Sequence, residues 1–142
     1  MLAASQSTVC LAVAGILLLV MSASAADLSP CPDKPNCVSS MATDARHRID
    51  PLAFTSSPDV AWQRLGQAVR SEPRITIMRE EGDYLHVEAR SFLFRFVDDM
   101  EFMLDADSGL IHVRSAARTG YSDFGVNHRR VERIRQAFNR QP

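Results

Sequence analysis

Seven consecutive residues, Tyr84-Leu85-His86-Val87-Glu88-Ala89-Arg90, alternate polar and apolar without a break. A period of two puts every second side chain on the same face of an extended chain. This segment therefore reads as a strand with one face on a core and the other in water. Its flanks extend the pattern. Ile75 and Ile77 alternate with polar neighbours just upstream, and Glu81-Gly82-Asp83 supplies the turn of a hairpin. Downstream, strand content is expected over 95–104 and 110–117, with Asp107-Ser108-Gly109 as the turn between them. Four sequential strands joined by short turns form an antiparallel meander.

Two helical signals bracket the meander. Ser57-Pro58-Asp59 combines an N-cap serine, a proline at the first helical position and an acid in the first turn. Ala61, Trp62, Leu65, Ala68 and Val69 then recur at helical spacing, and Glu72-Pro73 stops the run. The spacing predicts a helix over 58–71 with Trp62 as its largest core anchor. The second helix is expected to begin at Asn127 as N-cap, with Val126 and Val131 as a hydrophobic staple. Val131, Ile134 and Phe138 make its apolar stripe, and Arg129, Arg130, Arg133 and Arg135 leave a basic face. The expected fold is α+β. A four-stranded antiparallel meander, with one helix before it and one after, is packed on one face over residues 58–142.

The N-terminal part follows other rules. Residues 11–21, LAVAGILLLVM, are apolar but short for a bilayer span, and Ala23-Ser24-Ala25 is a small-x-small cleavage signature. This is the pattern of a signal peptide over 1–25, although no Lys or Arg precedes the apolar run. The expectation is an exported protein, periplasmic or secreted, and membrane-anchored if the segment is retained. A lipid on Cys31 is a weaker alternative, since Pro30 precedes it. Residues 26–57 read as an irregular lead-in, dense in prolines, whose Ile49, Leu52 and Phe54 tuck against the core. In an oxidising compartment Cys31 and Cys37 of CPDKPNC read as a disulfide, with two free thiols as the alternative. A zinc site lacks the further ligands it needs.

Charge excludes one class of partner. The formal net charge is −1, so nothing argues for nucleic acid. Lys34 is the sole lysine among the basic residues and the rest are arginine, which suits bidentate recognition of anions. A codon bias of the source genome produces the same composition.

Alternation also predicts a polar face. With Leu85, Val87 and Ala89 turned inward, Tyr84, His86, Glu88 and Arg90 turn outward. Met100, Phe102 and Leu104 face in on the next strand, and Asp99, Glu101 and Met103 face out. On the last strand Ile111, Val113 and Ser115 point one way, and His112, Arg114 and Ala116 the other. Three readings follow. The face is solvated and carries cross-strand ion pairs. Or it binds a polar or anionic ligand through Arg90, Arg114 and Arg118. Or His86, His112 and a carboxylate form a metal or acid–base site.

The stretch RTGYSDFGVN, residues 118–127, is weighed in the same way. As structure, Ser122 and Asp123 cap or turn the chain while Tyr121 and Phe124 plug the end of the sheet. As a site, Arg118, Tyr121 and Asp123 line a pocket beside the amides that open the last helix. The sequence has no nucleophile elbow, phosphate-binding loop or dinucleotide turn.

CPDKPNCVSS over 31–40, AWQRL over 61–65 and HVRSAARTGYSDFGVNHRRVERIR over 112–135 resemble the bacterial and plastid family called domain of unknown function 1499. The resemblance spans about residues 31–138. It implies a shared fold and, often, an export signal or membrane anchor. It implies no activity, cofactor or catalytic residue.

The leading expectation is an exported cell-envelope binding or scaffolding domain. It would meet an envelope protein or a small polar or anionic ligand through Arg90, Arg114, Arg118, Tyr121 and Asp123. One alternative is a hydrolase or isomerase with His86 or His112 as base beside Asp99, Glu101 or Asp123. The other is a purely structural protein. No cofactor or metal is expected, and membrane association would come through an uncleaved N-terminal segment.

Overall fold

The computed structural model describes residues 27–92 and 95–140. The expected signal peptide over 1–25 lies outside them. In chain order the described elements are β1 (Cys37–Ser39), β2 (Leu52–Ala53), α1 (Pro58–Arg70), β3 (Ile75–Glu81), β4 (Tyr84–Arg90), β5 (Val97–Asp105), β6 (Leu110–Ala117) and α2 (Val126–Asn139). The fold is α+β, and β3-β4-β5-β6 form the expected meander.

The sheet has six strands rather than four, in the order β1-β6-β5-β4-β3, with β2 also on β6. Both extra strands come from the lead-in. β1 lies antiparallel to Arg114–Ala116 and β2 to Leu110–Ile111, so together they cover the outer edge of β6. Between them Ser40 continues the ladder. Its N–H donates to the Val113 carbonyl at 2.8 Å, and its Oγ accepts the Val113 N–H at 2.9 Å. Strands of three and two residues carry no readable period; backbone pairing with β6 makes them strands. The opposite edge, β3, is open. It carries a bulge between Ile77 and Arg79 and ends in Arg79, Glu80 and Glu81.

The core fills the space between the sheet and the two helices. Leu85, Val87, Met100, Phe102, Ile111 and Val113 meet Leu65, Val69, Val131, Ile134 and Phe138, all fully buried. Each such side chain contributes about 1.5–3 kcal/mol of transfer free energy. That exceeds the ~0.2–1 kcal/mol of an exposed ion pair, so the apolar face decides the fold. Ile49 and Leu52 are buried as expected, and Phe54 partly so. Trp62 is only partly buried and packs at the rim of the core. Leu65 and Val69 are the inward anchors of α1.

Helix ends show where local chemistry governs. Ser57 is the N-cap of α1 without a side-chain cap bond, so the fixed φ of Pro58 and the charge of Asp59 carry the start. Ser71 caps the other end through its N–H to Gln67 O at 3.1 Å. In α2 the N-cap is Gly125, with a left-handed φ of 74°. This displaces the expected Asn127 cap and puts Val126 inside the helix, so the expected staple is not formed. The expected basic face forms only in part, since Arg129 and Arg133 are exposed but Arg130 and Arg135 are not. Arg130 is buried against Asp98 at 2.8 Å, and Arg133 reaches Glu72 at 2.8 Å. Arg135 donates to the carbonyls of Asp50 and Pro51, each at 2.6 Å. These arginines clasp α2 to its neighbours.

Cys31 and Cys37 are disulfide-bonded. Cys37 stands opposite Ala116, so the bridge lies on the face shared by Arg114 and His112.

Candidate functional site

The register of β4, β5 and β6 assembles the polar face. His86 stands opposite Glu101, Glu88 opposite Asp99, and Glu101 opposite Arg114. Side chains then sort into two clusters. In the first, Arg118 donates from Nε to Asp99 Oδ2 at 2.8 Å and from Nη2 to Asp99 Oδ1 at 2.7 Å. The same Nη2 reaches Glu88 Oε1 at 2.6 Å. Arg90 donates to the other Glu88 oxygen at 3.0 Å, and His86 Nε2 lies 2.8 Å from Asp99 Oδ1. In the second cluster, Arg114 donates to Glu101 Oε2 at 2.9 Å and the Tyr84 hydroxyl to Oε1 at 2.8 Å. The Arg79 guanidinium sits 5.5 Å from the Tyr84 ring centre.

His112 stands apart from His86. Its Nδ1 lies 3.2 Å from Ser40 Oγ, and its Nε2 is 3.8 Å from Asp105. The two histidines therefore meet different carboxylates. No group of three or more His, Cys, Asp or Glu that could hold a metal is found among the described residues.

Electrostatics fix the protonation of these clusters. Arg118, then the His86 contact, holds the Asp99 carboxyl below its ordinary range despite partial burial. Arg118 and then Arg90 do the same for Glu88. Asp99 and Glu88 in turn bind the Arg118 proton more firmly. Burial, and then the Glu101 carboxylate that accepts its hydroxyl, push Tyr84 up to about 12. At neutral pH the face carries Arg90, Arg114 and Arg118 against Glu88, Asp99 and Glu101. Each of these arginines thus already holds a carboxylate, though Arg90 and Arg118 stay about half exposed.

The loop after β6 follows the expectation in part: Ser122 and Asp123 cap and turn the chain, but the cap is not Asn127. Asp123 faces inward and does the work expected of Asn127. Its Oδ1 accepts the Gly125 N–H at 2.9 Å, and its Oδ2 accepts the Asn127 N–H at 2.8 Å and Nδ2 at 2.9 Å. Asn127 is buried behind it. Its Oδ1 accepts from Ser115 Oγ and from Arg130 Nη1, and its Nδ2 reaches the Asn36 carbonyl at 3.4 Å. Asn36 then holds the loop itself, donating from Nδ2 to Gly120 O at 2.9 Å.

Tyr121 and Phe124 do not plug the sheet. They are 70% and 86% exposed. Phe124 has φ 52°, a left-handed conformation that a residue with a Cβ seldom adopts. Ser122 Oγ accepts its N–H at 3.2 Å, and Arg129 donates to its carbonyl at 3.0 Å.

Several residues that organise this region have no signature in the sequence pattern. Asn36, Asp98 and His47 carry no periodic signal. Asp44-Ala45-Arg46-His47 does hold one cue, an aspartate whose side chain can close a turn. Asp44 Oδ1 accepts the N–H groups of Arg46 and His47, each at 3.1 Å.

His47 is buried, with Nδ1 3.0 Å from Asp44 Oδ2 and Nε2 2.9 Å from the Lys34 carbonyl. Acceptors at both nitrogens favour the imidazolium, which donates twice. Asp44 first, and then the Lys34 carbonyl, raise its pKa above the ordinary value. A raised histidine pKa contributes stability that is fully present below the unfolded value of about 6.5 and lost as pH rises through the folded value. The melting temperature is therefore expected to fall as pH rises above about 6.5, and His47→Gln to remove that part of the slope. Identical pH slopes for the two proteins would exclude a buried imidazolium.

A family model described as protein of unknown function (DUF1499) matches residues 27–138. No curated protein and no solved structure matches the chain. The matched span holds the disulfide, both ion-pair clusters and the 118–125 loop. By that match the chain belongs to the DUF1499 family, whose description assigns it no function.

Proposed function

We propose that this protein is an exported cell-envelope binding domain that docks an envelope protein through the tip of the 118–125 loop, with the polar sheet face as rim. One observation carries the reading. Tyr121 and Phe124 are held out in solvent on a loop whose backbone is pinned by Asn36, Asp123 and Asn127. Exposed aromatics on a pre-ordered loop lose little conformational freedom on docking, and such residues dominate interface energies. Arg118 and Arg90, about half exposed, lie on the same face and can reach a partner's polar atoms. Arg114 and Asp123 act behind the surface, positioning Glu101 and the helix start. Export is supported by the disulfide, which suits an oxidising compartment. No helix among the described residues is long and apolar enough to cross a membrane.

The test is photocrosslinking in the native envelope from a benzophenone side chain placed at Tyr121. One discrete adduct is expected, and Tyr121→Ser/Phe124→Ser should lower co-purification of that partner by at least about tenfold. Unchanged recovery with the double variant would overturn the docking role. The 2.8 Å contact of His86 with Asp99 favours a second reading, a hydrolase or isomerase with His86 as base. It requires wild-type turnover of ester, phosphoester or lactone substrates that His86→Gln abolishes, and it fails if the wild type turns over none.

A further inference from the structure

The antiparallel register brings a second surface together, at the end of the sheet where β4 passes into β5. β3 begins there at Ile75, opposite Ala89, and β4 ends at Arg90, opposite Val97. Ser91 and Phe92, which follow β4, therefore lie beside Arg74. An open cavity of about 440 Å³ is lined there by Arg74, Arg90, Phe92 and Arg95, and no carboxylate lines it. Phe92 is 81% exposed and Phe96 56%.

Arg90 is shared with the polar face, but Arg74 and Arg95 differ from the arginines there. Arg90, Arg114 and Arg118 are held by carboxylates, whereas Arg74 and Arg95 make no ion pair among the described residues. Arg74 spends one nitrogen on the Arg90 carbonyl at 3.0 Å, and its guanidinium lies 5.6 Å from the Phe92 ring centre. Both have left-handed backbones, with φ 59° at Arg74 and 53° at Arg95. Side chains with a Cβ seldom adopt that conformation, and such outliers concentrate at functional positions.

Exposed phenyl rings beside two guanidiniums, Arg74 and Arg95, that no carboxylate among the described residues neutralises match the boundary between lipid and water. Rings settle at headgroup depth while guanidiniums take phosphate oxygens bidentately. A soluble anion would engage the arginines and leave both rings in water. The whole chain has a formal net charge of −1, so attraction to an anionic surface must come from a local patch such as this. We propose that Arg74, Arg90, Arg95, Phe92 and Phe96 form a patch that docks the domain onto an anionic phospholipid surface. This inference is independent of the docking role given to Tyr121 and Phe124, and its test leaves both unaltered.

The experiment is flotation of the full chain with vesicles of phosphatidylcholine alone and of phosphatidylcholine with about one third phosphatidylglycerol. The apolar N-terminal run is common to all proteins compared, so differences report the patch. Partition is expected to be stronger with phosphatidylglycerol and to weaken with salt. Arg74→Gln/Arg95→Gln should lower it about thirtyfold, and Phe92→Ser/Phe96→Ser should lower it on both vesicle types. All four side chains are exposed, and melting curves verify that the variants fold; Arg95→Gln alone serves if Arg74→Gln destabilises. Equal partition of wild type and both double variants would overturn the proposal. So would a pattern in which inorganic phosphate raises the wild-type melting point through these arginines while Phe92→Ser/Phe96→Ser floats like wild type. That pattern marks a soluble-anion site.

Discussion

An Arg130→Met protein is expected to unfold at a much lower urea concentration than the wild type, with about 3–5 kcal/mol of stability lost. Asp98 is the reason. It points toward the core from the start of β5, and both side chains of the pair are almost wholly buried. Methionine fills most of the volume but leaves a buried carboxylate without a counter-charge. It also removes the donor that Arg130 Nη1 gives to Asn127 Oδ1 at 3.2 Å. The loss is a large part of the ~5–15 kcal/mol that holds a domain folded. Burial raises the Asp98 pKa even with Arg130 present, so the pair itself does not fully repay desolvation. Asp98→Leu with Arg130→Met is accordingly expected to recover most of the deficit. The sign with pH follows. A raised carboxyl pKa means the folded state binds the proton more readily, so stability falls as pH rises from the unfolded value near 4 through the folded one. Without Arg130 that window shifts higher, and the deficit of Arg130→Met should shrink in acid, where Asp98 is neutral. A deficit under about 1 kcal/mol, or one equally large at low pH, would show that the pair is not what supports α2 on the sheet.

The second large effect is at Asn127. Alanine there removes the acceptor for Ser115 and Arg130 and the donor to Asp123 and Asn36. Each buried group left unsatisfied costs about 1–3 kcal/mol, so about 3 kcal/mol is expected after partial hydration of the gap. The damage should be local as well as global. Amide hydrogen exchange over 118–125 should accelerate beyond what the loss of overall stability explains, because Asn127 joins the loop to β6. Asn127→Asp keeps the oxygen facing Ser115 and Arg130 but sets a carboxylate against Asp123, and should fall between wild type and alanine. Exchange in the loop that only follows global unfolding would mean that Asp123 and Asn36 suffice to hold it.

Legibility tracked how local each cause was. The strand 84–90 could be read because only one face of the sheet meets the apolar core, and Leu85, Val87 and Ala89 fall on it. The bounds of α1 followed from Pro58 and Pro73, whose rings act through their own backbone. β1 and β2 could not be read, because their strand character belongs to β6; the decisive groups are the N–H and C=O of Val113, more than seventy residues away from Ser40. Asn127 stands before an amphipathic run and looks like a cap, but the left-handed Gly125 and the reach of Asp123 start the helix before it, at Val126. Alternation named the members of the polar face. It could not say that Arg118 would bridge Asp99 and Glu88, nor that His86 and His112 would stay apart, since these depend on register and side-chain reach. Arg130 read as a solvent-facing charge because its partner, Asp98, lies one residue from the polar face and on the opposite side of the strand.

The lead-in also changes how the sheet presents itself to other chains. A strand with a free row of N–H and C=O groups is a template on which a neighbouring molecule can add its own strand. β6 is long, regular and apolar on one side, and would be the better template of the two edges. The disulfide-bonded segment and the short strands at 37–39 and 52–53 occupy it from within the same chain. The edge left open is β3, where a bulge breaks the ladder and Arg79, Glu80 and Glu81 add charge. A proline-dense stretch that reads as mere punctuation thus covers the sheet edge on which a second copy would most readily add a strand.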